Sequence, residues 1–173
     1  QQLWDDKSTI LNHASLNQFY DLVDFEELTK DSRTQWEDKE LLEVIFSKAN
    51  QTCWKNISRF CVVESLYPKL SEITDNIDWN ILSVRVDSNF LIKEFENYPW
   101  DLEAISQDYN RKESVIEELI LIQKETTDEW NWDILENRLS EKFILSHLDI
   151  VDVNLTAHTR DIEDVHVAML NNL

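Results

Sequence analysis

The chain contains no glycine among its 173 residues. At an average usage of about 7%, roughly 12 would be expected. Glycine readily adopts the positive φ angles of tight turns, hairpins and left-handed helix caps. A chain without it is poorly suited to β-hairpins, phosphate-binding loops and the nucleophile elbow of hydrolases. Helices joined by short polar connections need none, so the composition predicts an all-α fold.

A seven-residue motif recurs six times, with starts spaced 29, 25, 23, 30 and 21 residues apart. Position 3 is apolar in all six copies and positions 1 and 6 are apolar in five, while position 2 is Asp or Asn in five. The copies, numbered one to six, are Val23–Thr29, Thr52–Ser58, Ile77–Ser83, Trp100–Ser106, Trp130–Glu136 and Val151–Ala157. This recurrence predicts stacked helical repeats.

The motif has the pattern of a helix start. Asp or Asn at position 2 is a preferred N-cap, whose side chain accepts hydrogen bonds from free backbone N–H groups of the first turn. Apolar residues at positions 1 and 6 then form a hydrophobic staple, and Glu27 of copy one completes a capping box with Asp24. Position 3 lies on the same helical face as position 6. Each copy is therefore predicted to begin a short helix with an apolar face.

A second apolar cluster follows most copies by about 13–15 residues, and the first copy by about 18. Its residues have helical spacing. They are Leu41, Leu42, Ile45 and Phe46; Leu66, Leu70 and Ile73; Phe90, Leu91, Ile92 and Phe95; Val115, Ile116, Leu119 and Ile120; Phe143, Ile144 and Leu148; and Val165, Val167 and Ala168. The pattern predicts a short solenoid of about six degenerate helix-turn-helix units.

We interpret residues 1–173 as one helical-repeat domain, with repeats over 23–173. Residues 1–22 are predicted to form an N-terminal helix or a decayed repeat. The chain starts with Gln-Gln-Leu-Trp and has neither an initiator Met nor a signal-like stretch. We therefore expect it to be a segment of a larger, multidomain protein.

Copies three, four and five resemble the W-D-W-x-x-L-S repeats of some large bacterial and giant-virus proteins. The motifs are Ile77-Asp-Trp-Asn-Ile-Leu-Ser83, Trp100-Asp-Leu-Glu-Ala-Ile-Ser106 and Trp130-Asn-Trp-Asp-Ile-Leu-Glu136. The similarity is good over residues 77–150 and loose elsewhere, since Phe25 and Cys53 depart from the expected residue types. The resemblance implies a helical scaffold and no particular chemistry.

The formal net charge of −19 restricts the partners that the chain can bind. It repels nucleic-acid phosphates and anionic lipid surfaces, so neither direct nucleic-acid binding nor membrane binding is expected. No apolar run approaches the roughly 18–20 residues of a membrane span. The expected partner is a basic protein or another domain of the same chain. An acidic mimic of nucleic acid that inhibits a DNA-binding enzyme is the alternative.

Catalytic, cofactor-binding and metal-binding signatures are missing from the sequence. Cys53 and Cys61 lie eight residues apart without a CxxC pattern or a paired His, and we expect two buried free thiols. This usage is typical of a reducing compartment, which favours a cytoplasmic location. His158 and His166 are scattered residues with no metal role predicted. The chain is therefore interpreted as a non-enzyme without a cofactor; an enzyme domain completed by a partner domain is a further alternative.

Five tryptophans fall at motif positions 1 and 3 and are predicted to pack in the core: Trp54, Trp79, Trp100, Trp130 and Trp132. Trp4 and Trp36 lie outside the motif, so they are the candidate partner-binding residues. Replacement of Trp36 by Ala is accordingly expected to cost little stability. The predicted function is a protein–protein interaction scaffold, sensor or regulatory arm that presents an acidic surface.

Overall fold

The computed structural model describes residues 23–125 and 127–153, and it is all-α over these ranges. The chain divides into two compact units, Gln1–Val86 and Asp87–Leu173, here called unit 1 and unit 2. Trp4 and the sixth copy's second cluster lie outside the described residues.

Ten α-helices and three short 3₁₀ segments make up the described regular structure. In unit 1 the helices are α1 (Phe25–Leu28), α2 (Lys39–Lys48), α3 (Gln51–Phe60), α4 (Leu70–Ile73) and α5 (Trp79–Arg85). In unit 2 they are α6 (Ser88–Lys93), α7 (Leu102–Gln107), α8 (Glu113–Gln123), α9 (Trp132–Leu135) and α10 (Glu141–Ser146). The 3₁₀ segments are Val63–Ser65, Tyr67–Lys69 and Phe95–Asn97.

The predicted caps are confirmed in four copies. Asp24, Asp78, Asp101 and Asn131 are the N-cap residues of α1, α5, α7 and α9, and each side chain accepts at least one backbone N–H of its helix. These helices therefore begin at the residue that the motif indicates, because the side chain satisfies donors that the first turn leaves free.

The second copy begins its helix one turn earlier than its motif. The cap of α3 is Asn50, whose Oδ1 accepts the backbone N–H of Cys53 at 2.9 Å. Cys53, at motif position 2, therefore lies inside the helix. A thiol is a weak acceptor, whereas the upstream Asn offers a strong one, so the helix extends back to it.

After copies one, three, four and five, the second helices form where the apolar clusters predict them, whereas copy two differs. There the cluster falls in two 3₁₀ turns and the four-residue helix α4. Pro68 lies in this stretch, and it has no backbone N–H and disfavours helical geometry at Tyr67. A continuous α-helix through this cluster is therefore interrupted, although Leu66 and Leu70 are fully buried.

The core of each unit is built on motif position 6. Its side chain is completely buried in all five described helical copies: Leu28, Ile57, Leu82, Ile105 and Leu135. Within unit 1, α3 packs against both α1 and α5; within unit 2, α7 packs against α9 and α6 against α8. The first helices of successive copies are therefore neighbours inside a unit.

Trp36 is only 4% exposed, so it belongs to the core of unit 1. Its replacement by Ala is therefore expected to cost more stability than its place outside the motif predicts. Motif spacing missed it because Trp36 lies between the two helices of copy one, where the segment turns back over the buried Leu28. Thr34 fixes this turn, since its hydroxyl donates to the Leu28 carbonyl at 2.7 Å.

Candidate interaction surface

Two pairs of successive first helices, α3 with α5 and α7 with α9, are each joined by a buried hydroxyl at motif position 7. In unit 1, Ser58 Oγ accepts the backbone N–H of Asp78 at 3.0 Å. In unit 2, Ser106 Oγ accepts the backbone N–H of Asn131 at 3.2 Å. Each serine is fully buried. The hydroxyl of one copy therefore satisfies the N-cap backbone of the next, which fixes the spacing between two first helices.

An arginine at motif position 9 makes a second link between the same helices. Arg85 donates to the carbonyls of Ser58 and Cys61, both at 2.6 Å. Arg138 donates to the carbonyls of Ser106 and Arg111, at 2.7 and 2.8 Å. The guanidinium fork thus caps the C-terminal end of the preceding helix, where carbonyls lack partners within the helix.

Sequence reasoning missed this role, because the seven-residue motif ends two positions before each of these arginines. The signal was available in the motif alignment. Extending copies three and five by two residues places Arg85 and Arg138 at the same position.

The position-3 tryptophans hold the segment that leads into their own helix. The indole N–H of Trp79 donates to the Thr74 carbonyl at 3.0 Å, and that of Trp132 donates to the Thr127 carbonyl at 2.8 Å. Both acceptors lie five residues before the ring. Because the ring is packed and its N–H is satisfied, its position sets the course of the backbone before the cap.

The predicted core position of the motif tryptophans is confirmed for four of the five: Trp54, Trp100, Trp130 and Trp132 are at most 9% exposed, whereas Trp79 is half-buried. Of the two candidate partner residues, Trp36 is buried and presents little surface. Trp4 lies outside the described residues, and its role stays a prediction. The clefts between helices are therefore better candidate contact sites than the buried Trp36 ring.

Unit 1 has a cleft of about 410 Å³ beside the start of α3. Its charged lining consists of Lys55, Asp75 and Asp78. One lysine thus offsets part of the negative charge of the two carboxylates.

Two clefts in the described part of unit 2 share Glu129. The cleft of about 360 Å³, here called the acidic cleft, is lined by Glu103, Asp128, Glu129, Trp130, Asn131, Trp132 and Asp133. The cleft of about 270 Å³, here called the aromatic cleft, is lined by Phe95, Glu96, Tyr98, Pro99, Trp100, Leu102, Gln123 and Glu129.

The two clefts of unit 2 carry uncompensated negative charge. Together their lining includes five carboxylates and neither Lys nor Arg: Glu96, Glu103, Asp128, Glu129 and Asp133. All five residues are exposed, and within residues 23–125 and 127–153 none forms a salt bridge. Clefts lined by one sign of charge concentrate ions and side chains of the opposite sign.

Buried charge in unit 2 lies away from these clefts. Burial lowers the pKa of Arg111, although Asp108 at 3.4 Å opposes this effect. The Arg138 side chain is 5% exposed, and its guanidinium lies 5.1 Å from the centre of the Tyr109 ring. These groups join helices and leave the cleft carboxylates without basic partners.

The predicted free thiols are confirmed, since Cys53 and Cys61 are both buried and unpaired by disulfides. Burial raises the pKa of Cys61 to about 11, despite the opposing charge of Arg85. The thiol is therefore protonated at neutral pH and unsuited to act as a nucleophile.

Over the described ranges, no three His, Cys, Asp or Glu side chains are grouped so that they could hold a metal ion. In the same part of the chain, none of the helices combines the length and apolar character required to cross a bilayer.

Comparisons with protein-family models, with curated proteins and with solved structures gave no match for this chain.

Proposed function

We propose that the chain is a non-catalytic helical-repeat scaffold whose acidic clefts in unit 2 bind a basic protein. The observation that carries this proposal is the set of five exposed cleft carboxylates without a basic residue in the lining. Such a surface attracts Lys- and Arg-rich segments, and it speeds and orients their encounter more than it increases final affinity.

The repeat architecture supports this role. The same hydroxyl and arginine links join α3 to α5 and α7 to α9, so one motif provides a reusable joint between helices. We propose that the repeats belong to a short solenoid of W-D-W-x-x-L-S type, in which this joint occurs where motif position 9 is Arg, in copies three and five. Solenoids present extended surfaces whose exposed residues can vary while the joints stay the same.

The test compares two variants that each remove four negative charges. The cleft variant combines Glu103→Gln, Asp128→Asn, Glu129→Gln and Asp133→Asn. The control variant combines Glu118→Gln, Glu125→Gln, Glu141→Gln and Asp152→Asn, all at exposed residues outside the cleft linings. Circular dichroism first establishes that both variants keep the helical content and melting behaviour of the parent chain.

Immobilised parent and variant chains are then used to capture proteins at low and high salt, and bound proteins are quantified by mass spectrometry. We expect a basic protein that the parent and the control retain, that the cleft variant loses, and that high salt releases. Equal capture by both variants would contradict a role for the cleft.

A competition with duplex DNA separates the scaffold from a nucleic-acid mimic. If DNA displaces the captured protein, the two compete for a DNA-binding site on that protein, and mimicry is favoured. If DNA has no effect, the cleft recognises a basic surface that does not bind nucleic acid, as the scaffold proposal requires.

A further inference from the structure

We propose that the aromatic cleft of unit 2 binds an alkylammonium group, namely the lysine side chain of a protein partner, with or without methyl groups. This inference rests on the proposed function and specifies which side chain the surface recognises. Three features of the cleft carry it: aromatic walls, unpaired carboxylates and a rigid frame.

The walls provide aromatic surface for a cation. Tyr98 and Trp100 line the cleft with ring centres 5.8 Å apart and planes at 80°. The indole N–H of Trp100 is already donated to the Glu94 carbonyl at 3.1 Å. Trp100 is only 6% exposed, so the half-buried Tyr98 ring provides most of the accessible π face, which attracts ammonium groups.

Phe95 extends this surface, since it lines the cleft and stacks on Trp130 with ring centres 6.4 Å apart. The Trp130 indole N–H donates to Gln123 Oε1 at 2.6 Å, so this oxygen is also engaged. Phe95 is 9% exposed, so the accessible apolar part of the cleft is a small patch beside polar groups. The four-carbon stem of lysine can pack on such a patch while its charged end stays near water.

The charge of the cleft selects for a cation. Glu96 and Glu129 are exposed carboxylates in its lining, and neither forms a salt bridge within the described ranges. Glu129 also lines the acidic cleft, whose other carboxylates add to the negative potential. An apolar side chain would gain only from the walls, whereas an alkylammonium gains from both walls and carboxylates.

The frame of the cleft is rigid. The 3₁₀ segment Phe95–Asn97 closes with a hydrogen bond from the Asn97 N–H to the Glu94 carbonyl. Pro99 fixes its own φ angle, and Asp101 caps α7 through the Ala104 N–H at 2.8 Å. A preformed cleft avoids part of the entropy cost of ordering side chains on binding.

The test is an NMR titration of the full chain with three small probes. They are N-acetyl-lysine-N-methylamide, its trimethyl-lysine form, and N-acetyl-norleucine-N-methylamide, which keeps the carbon chain but lacks the amine. We expect saturable shifts of the Trp100 indole N–H and of the Tyr98 ring with at least one of the two lysine probes. The norleucine probe should give none.

Variants locate the binding. Glu96→Gln and Glu129→Gln should each raise the Kd by about two- to fivefold, as the loss of an exposed ion pair predicts. Tyr98→Leu keeps apolar volume but removes the π face, and it should raise the Kd by a similar factor. The matched control Glu118→Gln removes one exposed charge outside the clefts and should leave the Kd unchanged.

Equal saturation by the norleucine probe, or no saturable shift with either lysine probe, would overturn the inference. So would an equal loss of affinity in Glu118→Gln. The proposed function and the lysine pocket are tested by different outcomes. If protein capture depends on Glu103, Asp128 and Asp133 but is unaffected by Glu96→Gln and Tyr98→Leu, the scaffold stands and the lysine pocket does not.

Discussion

The two units contain the same joint in different surroundings. In unit 1, Arg85 binds the carbonyls at positions 7 and 10 of the preceding copy; in unit 2, Arg138 binds those at positions 7 and 12. Arg138 also lies against the Tyr109 ring and has its side chain almost fully buried. The comparison shows that the motif conserves the link between helices while the loop after each first helix selects the second acceptor.

The clefts of the two units also differ, in the charge of their lining residues. The cleft of unit 1 includes Lys55, whereas those of unit 2 have no basic lining residue. Two regions that contain the same joint therefore present clefts of different charge.

The largest losses of unfolding free energy, and a difference between the units, are expected for the position-3 tryptophans Trp132 and Trp79. Trp132→Ala should lower the free energy of unfolding by about 3–5 kcal/mol, because it empties a buried site and frees the Thr127 carbonyl. Trp79→Ala should cost less, about 2–3 kcal/mol, since Trp79 is only half-buried. Chemical denaturation of each variant measures both losses. Equal losses would contradict a difference in packing between the units.

The two arginine joints should differ in the same direction, with the larger loss of unfolding free energy in unit 2. Arg138→Ala should cost about 2–4 kcal/mol, because it leaves two carbonyl acceptors without their partner and removes a packed, buried side chain. Arg138 also packs on the Tyr109 ring at 5.1 Å. Arg85→Ala loses mainly the two hydrogen bonds to the Ser58 and Cys61 carbonyls, so it should cost about 1–2 kcal/mol. Urea unfolding followed by circular dichroism compares the two. A larger loss at Arg85 would refute the proposed contribution of the contact between Arg138 and Tyr109.

The pKa of Cys61 predicts an alkaline effect specific to unit 1. In the folded chain the pKa is raised to about 11 from 9.0, so the protonated thiol is favoured by folding. This contribution is complete below pH 9 and is lost as pH rises toward 11, in total about 2–3 kcal/mol for about two pKa units.

The measurement is the difference in unfolding free energy between the parent chain and Cys61→Ala from pH 8 to pH 11. As pH rises, the parent chain should lose stability relative to Cys61→Ala. A constant difference for Cys61 would show that its thiol is accessible to water.

The serine joints should be equivalent, in contrast to the arginines. Ser58→Ala and Ser106→Ala each leave the N-cap N–H of the next copy without its acceptor. Each should cost about 1–3 kcal/mol, and the two losses should agree to within about 0.5 kcal/mol. Thermal melts and denaturant titrations check this. Unequal losses would mean that the joint is not the same structural element in both units.

The smallest expected change in stability arises from the backbone geometry at Lys124. Lys124, which ends α8 in unit 2, has φ 61°, and it is the only residue in the described ranges with positive φ. A side chain is unfavourable there and glycine is favoured. Lys124→Gly should therefore stabilise the chain by about 0.5–1 kcal/mol. Lys124→Ala controls for loss of the lysine side chain and should give no comparable gain in thermal denaturation.

The sequence by itself determined the helical fold, the start of four first helices and the buried position 6. These features are local: a cap accepts N–H groups of its own first turn, and apolar spacing sets which face is buried. The absence of glycine likewise excluded most tight turns without reference to distant residues.

Only the tertiary structure decided which distant groups meet. Arg138 reaches a carbonyl 32 residues away, and motif spacing does not indicate which loop conformation will bring that acceptor into range. Trp36 is buried because an irregular segment folds back, and the clefts are formed by residues from separate helices. Such contacts depend on loop geometry and packing, which propensities and periodicity do not encode.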